Sequence, residues 1–498
     1  MFFVEVIPHW LEKRAYISPN QTAIQLKDKT QISFRQLRQD VKQLAEKLNT
    51  LGIQPGVHVS LLANNSYDMV KMIHALTYLQ ATIVLLNARL TPDELHFQYE
   101  DSKSQFLLFQ EGLEEKVQTI QARYHNQVVS FQEAFQSEGS SFDVPEEMNL
   151  NDIFTIIYTS GTTGFPKGVQ LTYGNHFWSA TSSALNLGIR EEDRWLAMLP
   201  LFHVSGLSIL VKSLVYGMPV HLHEKFSVND VHREIMEEGV TIVSVVTVMV
   251  EQLLERLQNE SYPDSLRCLL LGGGPAPKPL LEKCKDEGIP IFQSYGMTET
   301  SSQIVTLSAQ DALTKIGSAG KPLFPAQLKI QQESGYDVPN VVGEIVVKGP
   351  MVTQGYFERE EANQDTFHDD GWLKTGDLGY IDEQGYLYVV DRRKDLIISG
   401  GENVYPAEVE SALKGIQGVK DAGVTGIEDH KWGQVPVGFI VRQLDSKLDE
   451  AEIMEELQNK LAKYKIPKAI YFVDDLPRNA SKKLLRRTLA EWAEERRG

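Results

Sequence analysis

YTSGTTGFPKG, residues 158–168, is the stretch on which the reading of this chain turns. It overlaps the end of FTIIYT (154–159), whose β-branched and aromatic residues predict a strand. Into eleven positions it packs three glycines, Gly161, Gly164 and Gly168, the hydroxyls of Thr159, Ser160, Thr162 and Thr163, and one lysine, Lys167. Glycines let the backbone turn its N–H groups toward an anion, the hydroxyls add donors, and the lysine adds a mobile positive charge. A polyphosphate is the ligand such a loop suits. It is not a Walker A loop, because GTTGFPKG has no glycine directly before its lysine and no Ser or Thr after it. On composition alone the stretch also reads as a flexible Ser/Thr/Gly loop without function, so its surroundings must decide.

Upstream, VSLLANN (59–65) reads as a strand, residues 66–80 have helical apolar spacing, and ATIVLLN (81–87) returns as a strand. That βαβ rhythm predicts a parallel sheet with covering helices. SEGSSFDVPEE (137–147) has the composition of a linker. A second α/β portion runs over about residues 152–307, with IVSVVTV (242–248) as a strand and 265–271 leading into GGGPAP (272–277). From 317 to 391 the texture changes to short runs punctuated by Gly, Pro and Asp, such as GEIVVKG and GYLYVVD, which predicts a smaller β-rich subdomain. Beyond it come ISGGENVYP, an amphipathic helix over 406–413, short strands and a helix over about 449–462. The expected fold is α/β. A large N-terminal domain, 1–391, holds two α/β sheet subdomains plus the β-rich one, and a small α+β C-terminal domain spans 392–498.

The chain of 498 residues carries a formal net charge of −18. That balance argues against a nucleic-acid partner, which needs a basic stripe to displace counterions from phosphate. Any anionic substrate must instead be met by a few placed cations and backbone amides. The two cysteines, Cys268 and Cys284, show no Cys-x-x-Cys spacing and no histidine cluster, which disfavours a disulfide framework or a zinc site and fits a reducing compartment. MFFVEVIPHWLEKR (1–14) lacks the sustained apolar stretch of a signal peptide. No run approaches the roughly 18 apolar residues of a membrane span. A cytoplasmic protein with small-molecule substrates is expected, its oligomeric state left open.

Four further stretches accompany the loop in order: SYGMTET (294–300), KTGDLGYID (374–382), DRRKDLIISGGENVYPAEVE (391–410) and PRNASKKLLRR (477–487). Together the five resemble the motifs of the adenylate-forming superfamily, which includes acyl-CoA synthetases, luciferases and the adenylation domains of peptide synthetases. The resemblance implies an AMP-forming acid–thiol ligase that uses ATP with Mg²⁺, an aryl carboxylic acid and coenzyme A, with a small domain that rotates between two half-reactions. It places the ATP phosphates on Thr159, Ser160, Gly161, Thr162, Thr163, Gly164 and Lys167. Adenine falls between the loop Gly272, Gly273, Gly274 and Tyr295 with Gly296, where glycine allows close approach and an aromatic face allows stacking. As a dinucleotide fingerprint GGGPAP fails, because Pro277 takes the third glycine position.

By the same resemblance Thr298 donates to the α-phosphate and Glu299, otherwise a solvent-facing glutamate, ligates Mg²⁺. One carboxylate suffices, since magnesium keeps several waters. Asp377 goes to the ribose hydroxyls, Arg392 lies near ribose and phosphate, and Lys394 falls at the hinge. His203, in PLFHVSG (200–206), becomes a gate or a contact to the activated carboxylate; on residues alone it reads as a core histidine. KKLLRR (482–487) alone reads as a solvated basic tail. With PRNAS fixing the register, the family's adenylation lysine falls on Lys483, which bridges the attacking carboxylate and the α-phosphate. Gly400, Gly401 and the facing surface of the small domain are implied for coenzyme A.

NHFWSATSSALNLGI (175–189), LPLFHVSGLSIL (199–210), SYGMTETSSQIVTL (294–307), ISGGENVYPAEVES (398–411) and LAKYKIP (461–467) carry a closer resemblance. It points to the branch of the superfamily that activates an aromatic acid bearing a ketone and a second carboxylate for menaquinone synthesis. GLSILVKSLVYG (206–217) predicts an apolar helix on which Ser205, Ser208 and Lys212 share a face. Lys212 has two readings, a partner for the second carboxylate or a lysine snorkelling to the surface. Another aryl or fatty acid, and a catalytically inactive nucleotide-binding homologue, stay open at this point.

Overall fold

The computed structural model describes residues 5–497 apart from 161–165, 259, 274–277, 333–334, 337, 392–395, 444–445 and 478–483. Two sheets carry the large domain. In the first, His58–Leu62, Thr82–Leu86, Phe106–Phe109 and Ile153–Ser160 run parallel, and Pro166–Thr172 turns back antiparallel beside the last of them. The helix expected over 66–80 is Tyr67–Tyr78; Ser66 Oγ accepts from Met69 N at 3.1 Å, satisfying one orphan donor of its first turn. Every residue of the TIVLL strand is buried, as a sheet covered on both faces requires.

The second sheet sets Thr22–Leu26, Val220–Leu222, Trp195–Ala197, Ile242–Val245, Cys268–Leu271 and Ile291–Met297 side by side in parallel. Ser302–Leu307 then reverses direction, and the sheet continues antiparallel through Ser318–Pro322, Leu387–Asp391, Leu373–Ile381 and Gly343–Lys348. The β-rich part is therefore the antiparallel end of the second sheet and not a detached one, although it has its own apolar core around Ile330, Ile345, Val347 and Leu387. A second difference concerns 242–248. The strand stops at Val245 and a helix, Thr247–Leu257, takes over, with Val250, Leu253, Leu254 and Leu257 buried at helical spacing. A short apolar run alone does not distinguish the two.

The C-terminal part is a five-stranded sheet, formed by Ile397–Ser399, Glu402–Val404, Val419–Asp429, Gly433–Arg442 and Ile470–Phe472. Pro406–Lys414 and Glu450–Lys460 cover one core, around Val409, Leu413, Ile440 and Ile453. Arg486–Arg497 covers another, around Phe439, Leu489 and Ala493. This is the α+β lid. The boundary expected at 391/392 abuts residues outside the described ones. Among the described residues no helix is long and apolar enough to cross a membrane.

The helix predicted from GLSILVKSLVYG is Val204–Tyr216. Gly206 lets it close on the preceding loop, because a Cβ there would stand 2.2 Å from Pro200 O.

Candidate active site

A cavity of about 340 Å³ lies where the carboxyl ends of parallel strands from both sheets converge. Asn87, Met198, Val246, Gly272 and Thr298 each directly follow one of those strands, and all line it, as does Thr159 near the end of Ile153–Ser160. Strand ends leave backbone groups unpaired at the point where neighbouring loops diverge, which is where open α/β sheets take ligands.

At one end the cavity meets the helix Val204–Tyr216. Ser205, Ser208 and Lys212 all line it, so the predicted face points inward. Ser208 Oγ donates to Ser205 O at 3.3 Å. Lys212 is 1% exposed and does not snorkel. Its ammonium stands 4.6 Å from the centre of the Trp195 ring and donates to Gln303 Oε1 at 3.5 Å. Among the described residues no carboxylate pairs with it. Burial lowers its pKa from 10.5 to about 7, against a smaller upward pull from Cys268. The Gln303 Nε2 is buried without a hydrogen-bond partner. Trp195 is itself fixed by a bond from Nε1 to Ser244 Oγ, 3.0 Å.

The other end gathers Thr159, Gly272, Gly273, Gly296 and Thr298. Gly296 admits no side chain, since a Cβ would stand 2.1 Å from Ser302 O. Tyr295 does not line the cavity in this arrangement. It is 3% exposed, and its Oη donates to Asp377 Oδ2 at 2.7 Å, so the two residues expected at adenine and ribose lie against each other behind the wall. Lys167 stands 5.1 Å over the Tyr356 ring. Ser160 is described by its backbone, which pairs with Pro166. Gly161, Thr162, Thr163, Gly164, Gly274, Arg392, Lys394 and Lys483 lie outside the described residues.

Glu299 is buried beside Thr298, in the short helical turn Thr298–Thr300. Tyr356 Oη donates to its Oε1 at 2.8 Å, and its Oε2 has no hydrogen-bond partner among the described residues. Glu299 is not among the residues that line the cavity here, but it directly follows Thr298, which is, and its carboxylate is a hard oxygen donor of the kind that fits Mg²⁺, which supplies its own waters. Among the described residues no group of three His, Cys, Asp or Glu side chains forms a denser metal cluster.

The lid closes the cavity with Gly400, Gly401 and Glu402. Glu402 accepts from His203 Nε2 at 3.1 Å and from Arg89 Nη1. Burial pushes its carboxyl up, but His203, Arg89 and Lys465 outweigh burial and hold it below the usual glutamate value. Lys465 donates to Glu94 Oε1 at 2.6 Å and to Glu408 Oε1 at 2.7 Å. Gln303, Arg89, Glu402 and Lys465 escape sequence reasoning. Gln303, Glu402 and Lys465 sit inside SYGMTETSSQIVTL, ISGGENVYPAEVES and LAKYKIP, but partners 313 and 371 positions away leave no local trace of what they do.

Comparison with known proteins fits this geometry. A 2-succinylbenzoate–CoA ligase from Oceanobacillus iheyensis is 54% identical over 98% of this chain and 100% of its own length. A double mutant of the o-succinylbenzoate CoA synthetase from Bacillus subtilis, bound with its product analogue OSB-NCoA, superposes with a TM-score of 0.93 at 48% identity, covering 98% of this chain and 99% of that one. The Bacillus subtilis synthetase in complex with ATP and magnesium ion superposes at 0.76, again at 48% identity, covering 97% of this chain and 100% of that one. Equal identity with unequal superposition marks a different arrangement of the same parts, and this chain is arranged as in the product-analogue complex. Residues 11–357 match the AMP-binding enzyme family and residues 408–483 match the AMP-binding enzyme C-terminal domain, and the chain belongs to this family of AMP-binding enzymes.

Proposed function

We propose that this chain joins 2-succinylbenzoate to coenzyme A at the expense of ATP, a step of menaquinone synthesis. The acid's carboxylate attacks the α-phosphorus, diphosphate leaves, and an acyl-adenylate forms. The coenzyme A thiol then attacks the acyl carbon, the thioester bond forms, and the bond to AMP breaks. The observation that carries the choice of acid is the buried end of the cavity. Lys212 lies there without a carboxylate among the described residues, next to an unsatisfied amide of Gln303. A ligand carboxylate at that place supplies the missing counter-charge, whereas a fatty acid leaves a buried ammonium unpaired.

The remaining roles follow the cavity from end to end. Thr159, Ser160, Gly161, Thr162, Thr163, Gly164 and Lys167 cradle the phosphates. Gly272, Gly273, Gly274 and Gly296 flank the adenine, with Tyr295 behind them, and Asp377 accepts from the ribose hydroxyls. Glu299 holds Mg²⁺, which neutralises phosphate charge when bound. Thr298 orients the α-phosphate, and Arg392 and Lys483 stabilise the charge that builds when two anions meet. His203, tethered by Glu402, keeps the acid end walled off from the lid, with Ser205 and Ser208 beside the acyl group. Lys394 serves as the hinge at the boundary 391/392. The cytoplasm is the site of action, where ATP and coenzyme A are held and where Cys268 and Cys284 stay free thiols.

Acid-dependent ATP–diphosphate exchange, followed by thioester formation across a panel of acids, tests this reading. 2-Succinylbenzoate should exceed benzoate in kcat/KM by about ten- to a hundredfold, the worth of one charge-assisted contact. A preference for benzoate or a fatty acid overturns the acid assignment. Absence of exchange with every acid of the panel returns the inactive homologue.

A further inference from the structure

Lys465 follows the lid helix Glu450–Lys460, yet the residue is only 4% exposed and its ammonium is shared by carboxylates of two different domains. Glu94 belongs to the large domain, on the helix Pro92–Asp101. Its Oε2 accepts from Thr91 N at 2.8 Å and Thr91 Oγ1 at 2.9 Å, the reciprocal cap of that helix, which leaves Oε1 aimed at Lys465. Glu408 belongs to the lid, and its second oxygen is buried without a partner. Burial raises Glu408 against the pull of Lys465, and Glu408, Tyr464 and Glu94 raise Lys465 against burial. The same segment is pressed into the large domain. Ala462 joins the apolar core of Leu62, Val84 and Leu95, and Asn87 Nδ2 donates to Tyr464 Oη at 3.5 Å.

Lys465 and Glu408 travel together on the lid, so the ammonium meets Glu94 only when the lid stands as it does here. Glu402 and Gly401 reach the cavity in that same orientation. We propose that Lys465, clamped between Glu94 and Glu408, is the positioning residue that holds the lid in the orientation used for acyl transfer to coenzyme A. The proposal rests on the ligase reading but not on which acid is used. Glu94 Oε1 fixes the ammonium in place. A buried ammonium with two carboxylates in reach is costly to leave half-paired, so the lid settles where both are satisfied.

Glu94→Gln in the full chain tests it, because a glutamine Oε1 still accepts from Thr91 and preserves the helix cap. Two half-reactions are read: acid-dependent ATP–diphosphate exchange, and thioester formation from a supplied acyl-adenylate plus coenzyme A. Exchange should stay within about twofold of wild type, while transfer falls about ten- to a hundredfold, the loss of one charge-assisted contact. Lys465→Met should lose transfer likewise, and the double variant should be no worse than Lys465→Met alone, since both cut one contact. If Glu94→Gln does not fold, Glu94→Asp, which draws the carboxylate back by one methylene, is read in its place. Equal loss in both half-reactions, no loss in either, or additive losses in the double variant would each overturn the latch and leave the ligase reading standing. An inactive wild type would instead sink the ligase reading itself.

Discussion

Two lysines, each almost wholly buried, line the same cavity, one from the large domain and one from the lid. Lys212 sits in the large domain with an aromatic ring and an amide oxygen for company, and burial lowers its pKa to about 7. Lys465 sits where the lid docks, holds two carboxylates, and is raised above ordinary lysine. Burial is nearly the same in both, so burial does not decide the charge state. The number of carboxylates within reach does. The protein completes its own ion pair where it needs a fixed geometry between domains, and withholds the partner where a ligand must bring one.

A third lysine bounds the comparison and carries the largest expected effect. Lys483→Ala should slow adenylate formation about a hundred- to a thousandfold, the scale of losing one transition-state charge contact, while sparing thioester formation from a supplied acyl-adenylate. Half-reaction rates decide, and equal losses would make Lys483 structural. Next comes Lys212→Met, which should lower kcat/KM for 2-succinylbenzoate about ten- to a hundredfold and leave benzoate nearly untouched. If both acids lose equally, the contrast between the two lysines has no bearing on specificity.

A smaller effect is set by pH. Below about 7 the ammonium of Lys212 is already charged, and above it the empty pocket holds an amine that must gain a proton when the diacid binds. KM for the diacid should therefore rise by about tenfold per pH unit above that point, the signature of one proton taken up, and a flat profile would contradict it. Stability of the ligand-free protein gives the smallest signal. Since the folded pKa of Lys212 lies below 10.5, the unfolded chain binds the extra proton between about pH 7 and 10.5, and stability rises with pH across that window. Lys465, raised in the fold, acts in the opposite sense. Its contribution is complete below the ordinary lysine value and is lost as pH climbs through its folded pKa. Lys212→Met should flatten the first slope and raise the melting midpoint at pH 7 by about 2–4 °C, read by calorimetry.

Much of the frame was legible because local rules and tertiary packing agree there. The helical apolar spacing over 66–80 becomes the helix Tyr67–Tyr78, with Ser66 as its cap. TIVLL, bounded by polar residues and rich in β-branched ones, reads as a strand and forms one buried on both faces. That Ser205, Ser208 and Lys212 share a face follows from helical spacing; that this face points into the cavity, rather than letting Lys212 snorkel outward, is decided by packing. Where local rules tie, the sequence fails to choose. VVTV continues a strand or starts a helix equally well, and only packing of Val250 and Leu253 starts the helix at Thr247. Short antiparallel runs predict a β-rich part but not that Ser302–Leu307 and Ser318–Pro322 splice it onto the second sheet. Tyr295 and Asp377 were each assigned to the nucleotide, and neither motif hints that they bond to each other.

By itself the sequence determined the chemistry on offer: a glycine- and hydroxyl-rich phosphate loop, a lone acidic residue after Thr298, and a lysine placed on an apolar helix. Those are properties of residues within one turn or loop of each other, and periodicity exposes them. Only the tertiary structure decided which charges are compensated. Among the described residues Lys212 meets no carboxylate, only Trp195 and Gln303, and Lys465 gains Glu94 from 371 positions away. Electrostatic pairing depends on distance and desolvation in space, and neither quantity is encoded in the spacing of residues along the chain.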